Sequence, residues 1–167
     1  MHVLPFAPLY RNKFKQYSNN ADIDALRKLK IENTYSTLTN LTDQFYEGVK
    51  ETLLVISSKI TNESLLNEVL KYAKDIVYFV KMKININVPN RNNNKKAIEN
   101  VIANVTDILS IVGQIVLGIR YKNQEEYKKL VIVLDNLIRL SSEVYRYCMT
   151  LAVEEGICIS VGLLSIC

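Results

Sequence analysis

The chain has 167 residues, 49% of them hydrophobic and 23% charged, with a formal charge of +4 at neutral pH. That is one domain's length, too apolar for a disordered chain and long enough to bury a core. Five glycines, three prolines and no tryptophan leave few breakers between long periodic segments, which argues for helices throughout.

The opening MHVLPFAPLYRNKF places its positive charge after the apolar part and holds Pro5 and Pro8 within it. It therefore lacks the order of a secretory signal, and a cytoplasmic location is expected by default. Residues 1–20 are read as an N-terminal arm. It carries Arg11, Lys13 and Lys15 and no acid, and Tyr10, Phe14 and Tyr17 alternate with those bases.

The first helix is expected over about 21–60. Ile31, Tyr35, Leu38, Leu41, Phe45, Val49, Leu53, Ile56 and Ile60 follow one another by three or four positions, the spacing of one helical stripe. Ile23, Leu26 and Leu29 extend it toward the N-terminus. Asn20 can cap its start, and Asp22 and Asp24 stand where the helix dipole favours acids. A bend at Asn33–Thr34 is left open. Asn62 is positioned to cap a second helix over 63–83, whose stripe runs from Leu65 to Val80. Lys81 and Lys83 complement the dipole at its end.

Residues 81–96, KMKININVPNRNNNKK, hold five cations, six asparagines and no acid. Pro89 disfavours helix at Val88, and the asparagines compete for backbone hydrogen bonds. The third helix is therefore expected over 95–118, with Ile98, Val101, Val105, Ile108, Val112 and Ile115 as its face. Gly118 is expected as a left-handed terminal residue. Gly113 is read as lying near the core face, where glycine costs about 1 kcal/mol relative to alanine. Close helix packing or a ligand at the backbone would explain it. Asn123 and Glu126 have the spacing of a capping box for a fourth helix over 124–155, which stops at Gly156. The tail at 157–167, ICISVGLLSIC, is apolar and is expected to pack on its own bundle or on a partner.

Four such stripes joined by short loops predict an all-α, antiparallel up-down four-helix bundle in residues 21–156. Alternating helix directions bring the arm, the 81–96 connection and the tail to one end. The arm and the connection carry more positive charge than the whole net excess. Cys148, Cys158 and Cys167 match no zinc or redox spacing and are expected as reduced thiols.

Catalytic signatures are missing. His2 is the only histidine, so a triad, a zinc protease motif or a di-iron site has too few ligands. Asp43, Asp75, Asp107 and Asp135 fall one to each helix, but beside its stripe, and are read as solvated. No cofactor or metal is predicted.

The stretch LIRLSSEVYRY from Leu137 resembles the last bundle helix of the cobalamin adenosyltransferases, which carries Asn-Arg-Leu-Ser-Asp. Arg139, Leu140 and Ser141 match; Ile138 and Ser142 depart from it, and the family's N-terminal phosphate loop has no counterpart. The resemblance implies a small-ligand or cofactor bundle as a second reading, with Arg139 and Glu143 as ligand contacts beside Gly113. The leading reading is a non-enzymatic module that associates with a protein partner or with itself, most simply as a dimer. Ile157, Ile159, Val161, Leu163 and Leu164 are its candidate contacts. A third reading is weak binding of a polyanion such as nucleic acid or a membrane surface. Arg11, Lys13, Lys15, Lys81, Lys83, Arg91, Lys95 and Lys96 would carry it.

Overall fold

The computed structural model describes residues 20–87 and 91–167. Helix α1 spans Asn20–Ser57 and α2 spans Glu63–Tyr78, continued by one π-helical turn at Phe79–Lys83. Helices α3 (Arg91–Leu117) and α4 (Gln124–Glu155) follow. A small antiparallel hairpin closes the chain, with β1 (Ile159–Val161) paired to β2 (Leu164–Ile166) so that Ile159 faces Ile166 and Val161 faces Leu164. Helix α1 packs on α4 and α2, and α3 packs on α2 and α4, which is the predicted all-α four-helix bundle.

The stripes read from the sequence form the core. Leu38, Phe45, Val49, Val69, Ile76, Ile98, Val101, Ile108, Leu137, Val144 and Leu151 are fully enclosed. Polar residues on these faces are satisfied locally. The Thr52 hydroxyl donates to Gly48 O and the Ser141 hydroxyl to Leu137 O, each within its own helix. The caps also follow the sequence. Asn62 accepts from Ser64 N, Asn123 accepts from Glu126 N, and Gly156 ends α4 at φ 68°.

Several local expectations change. The first helix ends at Ser57 rather than near 60, and it runs unbroken through Asn33–Thr34. Thr34 is buried there, and its hydroxyl donates to both carboxylate oxygens of Glu154 at 2.8 and 2.9 Å. This contact with α4 leaves no room for a break. Helix α3 starts at Arg91, not at 95, so part of the asparagine run is helical. Gly118 is not left-handed; the described glycines with positive φ are Gly156 and Gly162.

Gly113 is exposed, and a Cβ there would meet no atom within 4 Å. The close approach belongs to Gly48 instead, where a Cβ would stand 3.1 Å from Leu140 Cδ1. The cysteines divide. Cys148 is a buried free thiol, as expected, but Cys158 and Cys167 form a disulfide across the hairpin.

Helix α3 is also long and apolar enough to cross a membrane, with a mean hydropathy of 1.6 over its best 18 residues. Its Ala97, Ile98, Val101, Val105, Ile108 and Val112 are in the bundle core, while Asn100, Asp107 and Gln114 are on its exposed side.

Candidate functional site

The start of α1, the π turn, the start of α3, the end of α4 and the hairpin converge at one end of the bundle. Asn94 organises the connection there. It is 1% exposed; its amide oxygen accepts from Asn85 N and its amide nitrogen donates to Asn85 O, both at 3.0 Å. The bracket supplies partners to a backbone that has left the helix, where buried polar groups would otherwise be costly. The same nitrogen lies 3.2 Å from Glu155 Oε2. Burial pushes the Glu155 carboxyl above the usual carboxylate range, opposed by the Asn94 hydrogen bond and by the Arg91 charge. The Tyr35 hydroxyl donates to the Val80 carbonyl at 2.6 Å, filling one of the acceptors freed at the end of α2.

Two clefts open beside Glu154. One, of about 510 Å³, is lined by Arg27, Ile31, Ile86, Arg91, Glu154 and Glu155. The other, also about 510 Å³, is a largely apolar groove lined by Lys30, Tyr145, Met149, Val153 and Ile166. At the opposite end a cleft of about 340 Å³ is bounded by Leu54, Lys59, Tyr121, Glu126 and Leu130. There Lys59 pairs with Glu126 at 2.8 Å. That bond, with the Lys122 N–H, holds the Glu126 carboxyl below the usual range.

The hairpin is attached to the bundle through its own apolar side chains. Ile157 and Ile159 are buried in the chain's own core, and Glu99 accepts from Ser160 N at 2.7 Å. Of the five candidate assembly contacts, these two are enclosed by the chain itself. Val161 and Leu164 are half-buried, and Leu163 stands fully in solvent at the turn.

The expected basic cluster is dispersed. Lys81 pairs with Asp43 at 2.8 Å, Lys83 lies over the Tyr78 ring, and Arg91 faces Glu155 across its cleft. Lys83 and Lys96 do share a smaller cleft with Phe79 and Asn100; Lys95 is half-buried. Arg11, Lys13 and Lys15, with the arm's aromatic residues, lie outside the described residues, as does the Val88–Pro89 step.

The ligand candidates are not gathered either. Arg139 is exposed and donates to Asn136, Glu143 pairs with Arg146, and neither lines the clefts above. Gly113 is on the open side of α3. Asp43, Asp107 and Asp135 are exposed and Asp75 half-buried. Among the described residues no three His, Cys, Asp or Glu side chains stand close enough to hold a metal. Cys148, pushed up to about 12 by burial, is held as the thiol.

Sequence reading misses the role of Asn94 and the Thr34–Glu154 contact, because both depend on which helices become neighbours. The apolar extension of α1 is visible in the sequence but reads there as core. In the structure every residue from Asn20 to Lys30 is exposed, among them Ile23 (46%), Leu26 (68%) and Leu29 (53%).

Comparison with protein-family models, with curated proteins and with solved structures finds no match to this chain.

Proposed function

We propose that this chain is a non-catalytic helical-bundle module that acts by assembling with further copies of itself through the end where α1 begins. The observation that carries this reading is the first three turns of α1. They carry three large apolar side chains that stand exposed among the described residues, beside an apolar groove of Met149, Val153 and Ile166. Soluble surfaces scatter single apolar residues, but a contiguous set of this kind marks an association surface. The clefts contribute anchoring charges and no paired nucleophile and base, which favours binding over chemistry.

Light scattering coupled to size exclusion tests this over a concentration series. The expected result is a mass above that of one 19.1 kDa chain that falls on dilution. A single-chain mass at every concentration would contradict it.

A further inference from the structure

The cleft at the end of the bundle away from the hairpin is built by the α1–α2 and α3–α4 loops and the helix ends beside them. At about 340 Å³ it falls toward the lower end of the roughly 300–1,000 Å³ usual for small-molecule sites. Leu54 and Ile56 of α1, Ile119 of the second loop and Leu130 of α4 give it an apolar lining. Tyr121 adds a ring, held edge-on by the Tyr127 ring at 5.3 Å between centroids. The two segments that build the cleft, 54–59 and 119–130, are described throughout, and Asn20 lies about 51 Å along α1 from Leu54.

Lys59, Glu126 and Lys129 are the charged side chains of the lining. Glu126 is engaged twice, accepting from Lys59 Nζ at 2.8 Å and from the Lys122 N–H at 2.9 Å. That pairing draws Lys59 inward, its side chain 18% exposed. Lys129 differs. It is exposed, and among the described residues no acid pairs with it, Glu125 one turn earlier included. One neutralised pair and one open ammonium leave the lining with a single positive charge.

We infer that this cleft binds a small organic monoanion with an apolar body, of the class of medium-chain carboxylates. The apolar body lies on Leu54, Ile119 and Leu130 beside the Tyr121 ring, and the one negative charge meets the Lys129 ammonium. The lining selects this class by its charge as well as by its apolar area. A cation of the same shape would face the unbalanced positive charge. A dianion would call on a second base, but Lys59 is already held by Glu126. The site is separate from the start of α1 and does not rest on the assembly reading.

Titration of the full chain with decanoate, followed by amide NMR, tests this. Saturable shifts are expected at the amides of Ser58, Lys59, Ile119, Tyr121 and Lys129, whereas decylammonium should leave them in place. Lys129→Met keeps the aliphatic stem and removes the charge, and it should weaken decanoate binding about tenfold. Lys128→Met removes a neighbouring exposed charge that does not line the cleft, and it should bind as the wild type does. Leu54→Asp should abolish binding. Leu54 and Lys129 are both exposed, so the bundle stays intact in these variants, which helical circular dichroism verifies.

Shifts that are absent, or that gather at the groove of Met149 and Val153 instead, would overturn the proposal. So would equal binding of decylammonium, which would leave the charge of the lining without a role. A Lys129→Met variant that binds like the wild type would show that Lys129 is merely solvated. Equal losses in Lys128→Met and Lys129→Met would reduce the effect to general surface charge, and either result would overturn the site.

Discussion

Gly48 and Gly113 are both helical glycines, yet what stands over their α-carbons differs. At Gly48 a methyl group would press on Leu140 at 3.1 Å; at Gly113 it would enter open space. Gly113→Ala should therefore stabilise the fold by about 0.5–1 kcal/mol in a urea titration, the helix-propensity difference alone. Gly48→Ala should gain clearly less, because Leu140 must shift to admit it. An equal gain at both positions would contradict the crossing at Gly48. Glu155 gives a test by pH. Its carboxyl holds its proton more tightly in the folded chain than in the unfolded one, so between the two values the native state binds more protons and stability falls as pH rises. Glu155→Gln keeps an acceptor for Asn94 and removes the desolvated charge. Its Tm should exceed that of the wild type at pH 7, with the difference shrinking as the pH is lowered below about 5. A constant difference, or a lower Tm at pH 7, would count against a desolvated charge at Glu155. Residue spacing locates both glycines within helices but misplaces the contact. Ranking them requires the rotation of each helix against its neighbour, which the 3.6-residue period leaves free.

At the scale of elements, the helices are legible because apolar spacing, Asn62, Asn123 and Gly156 agree on where three of their boundaries fall. The start of α3 is not. A run of asparagines reads as loop on local grounds, but Asn94 exchanges two hydrogen bonds with Asn85 and the tertiary bracket overrides that preference. The hairpin is illegible for another reason. Six apolar residues and two cysteines in eleven positions fit a helix, a strand or a coil, and the turn at Gly162, with φ 58°, decides for the strand pair. The Cys158–Cys167 bond closes a loop with a sequence separation of 9. Chain-entropy arguments give such a closure about 2–3 kcal/mol. Replacing both cysteines with serine should lower the stability of non-reduced protein by about that amount and speed amide exchange at Ser160 and Ser165. It should leave the helical circular dichroism unchanged. Loss of helix would mean that the hairpin organises the bundle rather than resting on it.

For the whole molecule, the predicted convergence of three segments at one end holds for the two that the structure describes, the connection and the tail. Their charges and apolar groups are nevertheless largely engaged within the chain. Lys81 is bound by Asp43, and Ile157 and Ile159 are in the core. Among the described residues, the start of α1 is one apolar surface left exposed, and the sequence presents it as an ordinary continuation of a core stripe. Only the length of α1 against the rest of the bundle shows that Ile23, Leu26 and Leu29 overrun it. Self-assembly through this face, as proposed, is tested by the light-scattering mass of the full chain beside that of Leu26→Asp, over the same concentrations. Leu26 is exposed, so the substitution leaves the bundle intact, which the helical circular dichroism would verify. Assembly through this face predicts a wild type approaching twice the 19.1 kDa chain mass and a variant held at the single-chain mass. Equal masses for the two proteins would contradict it.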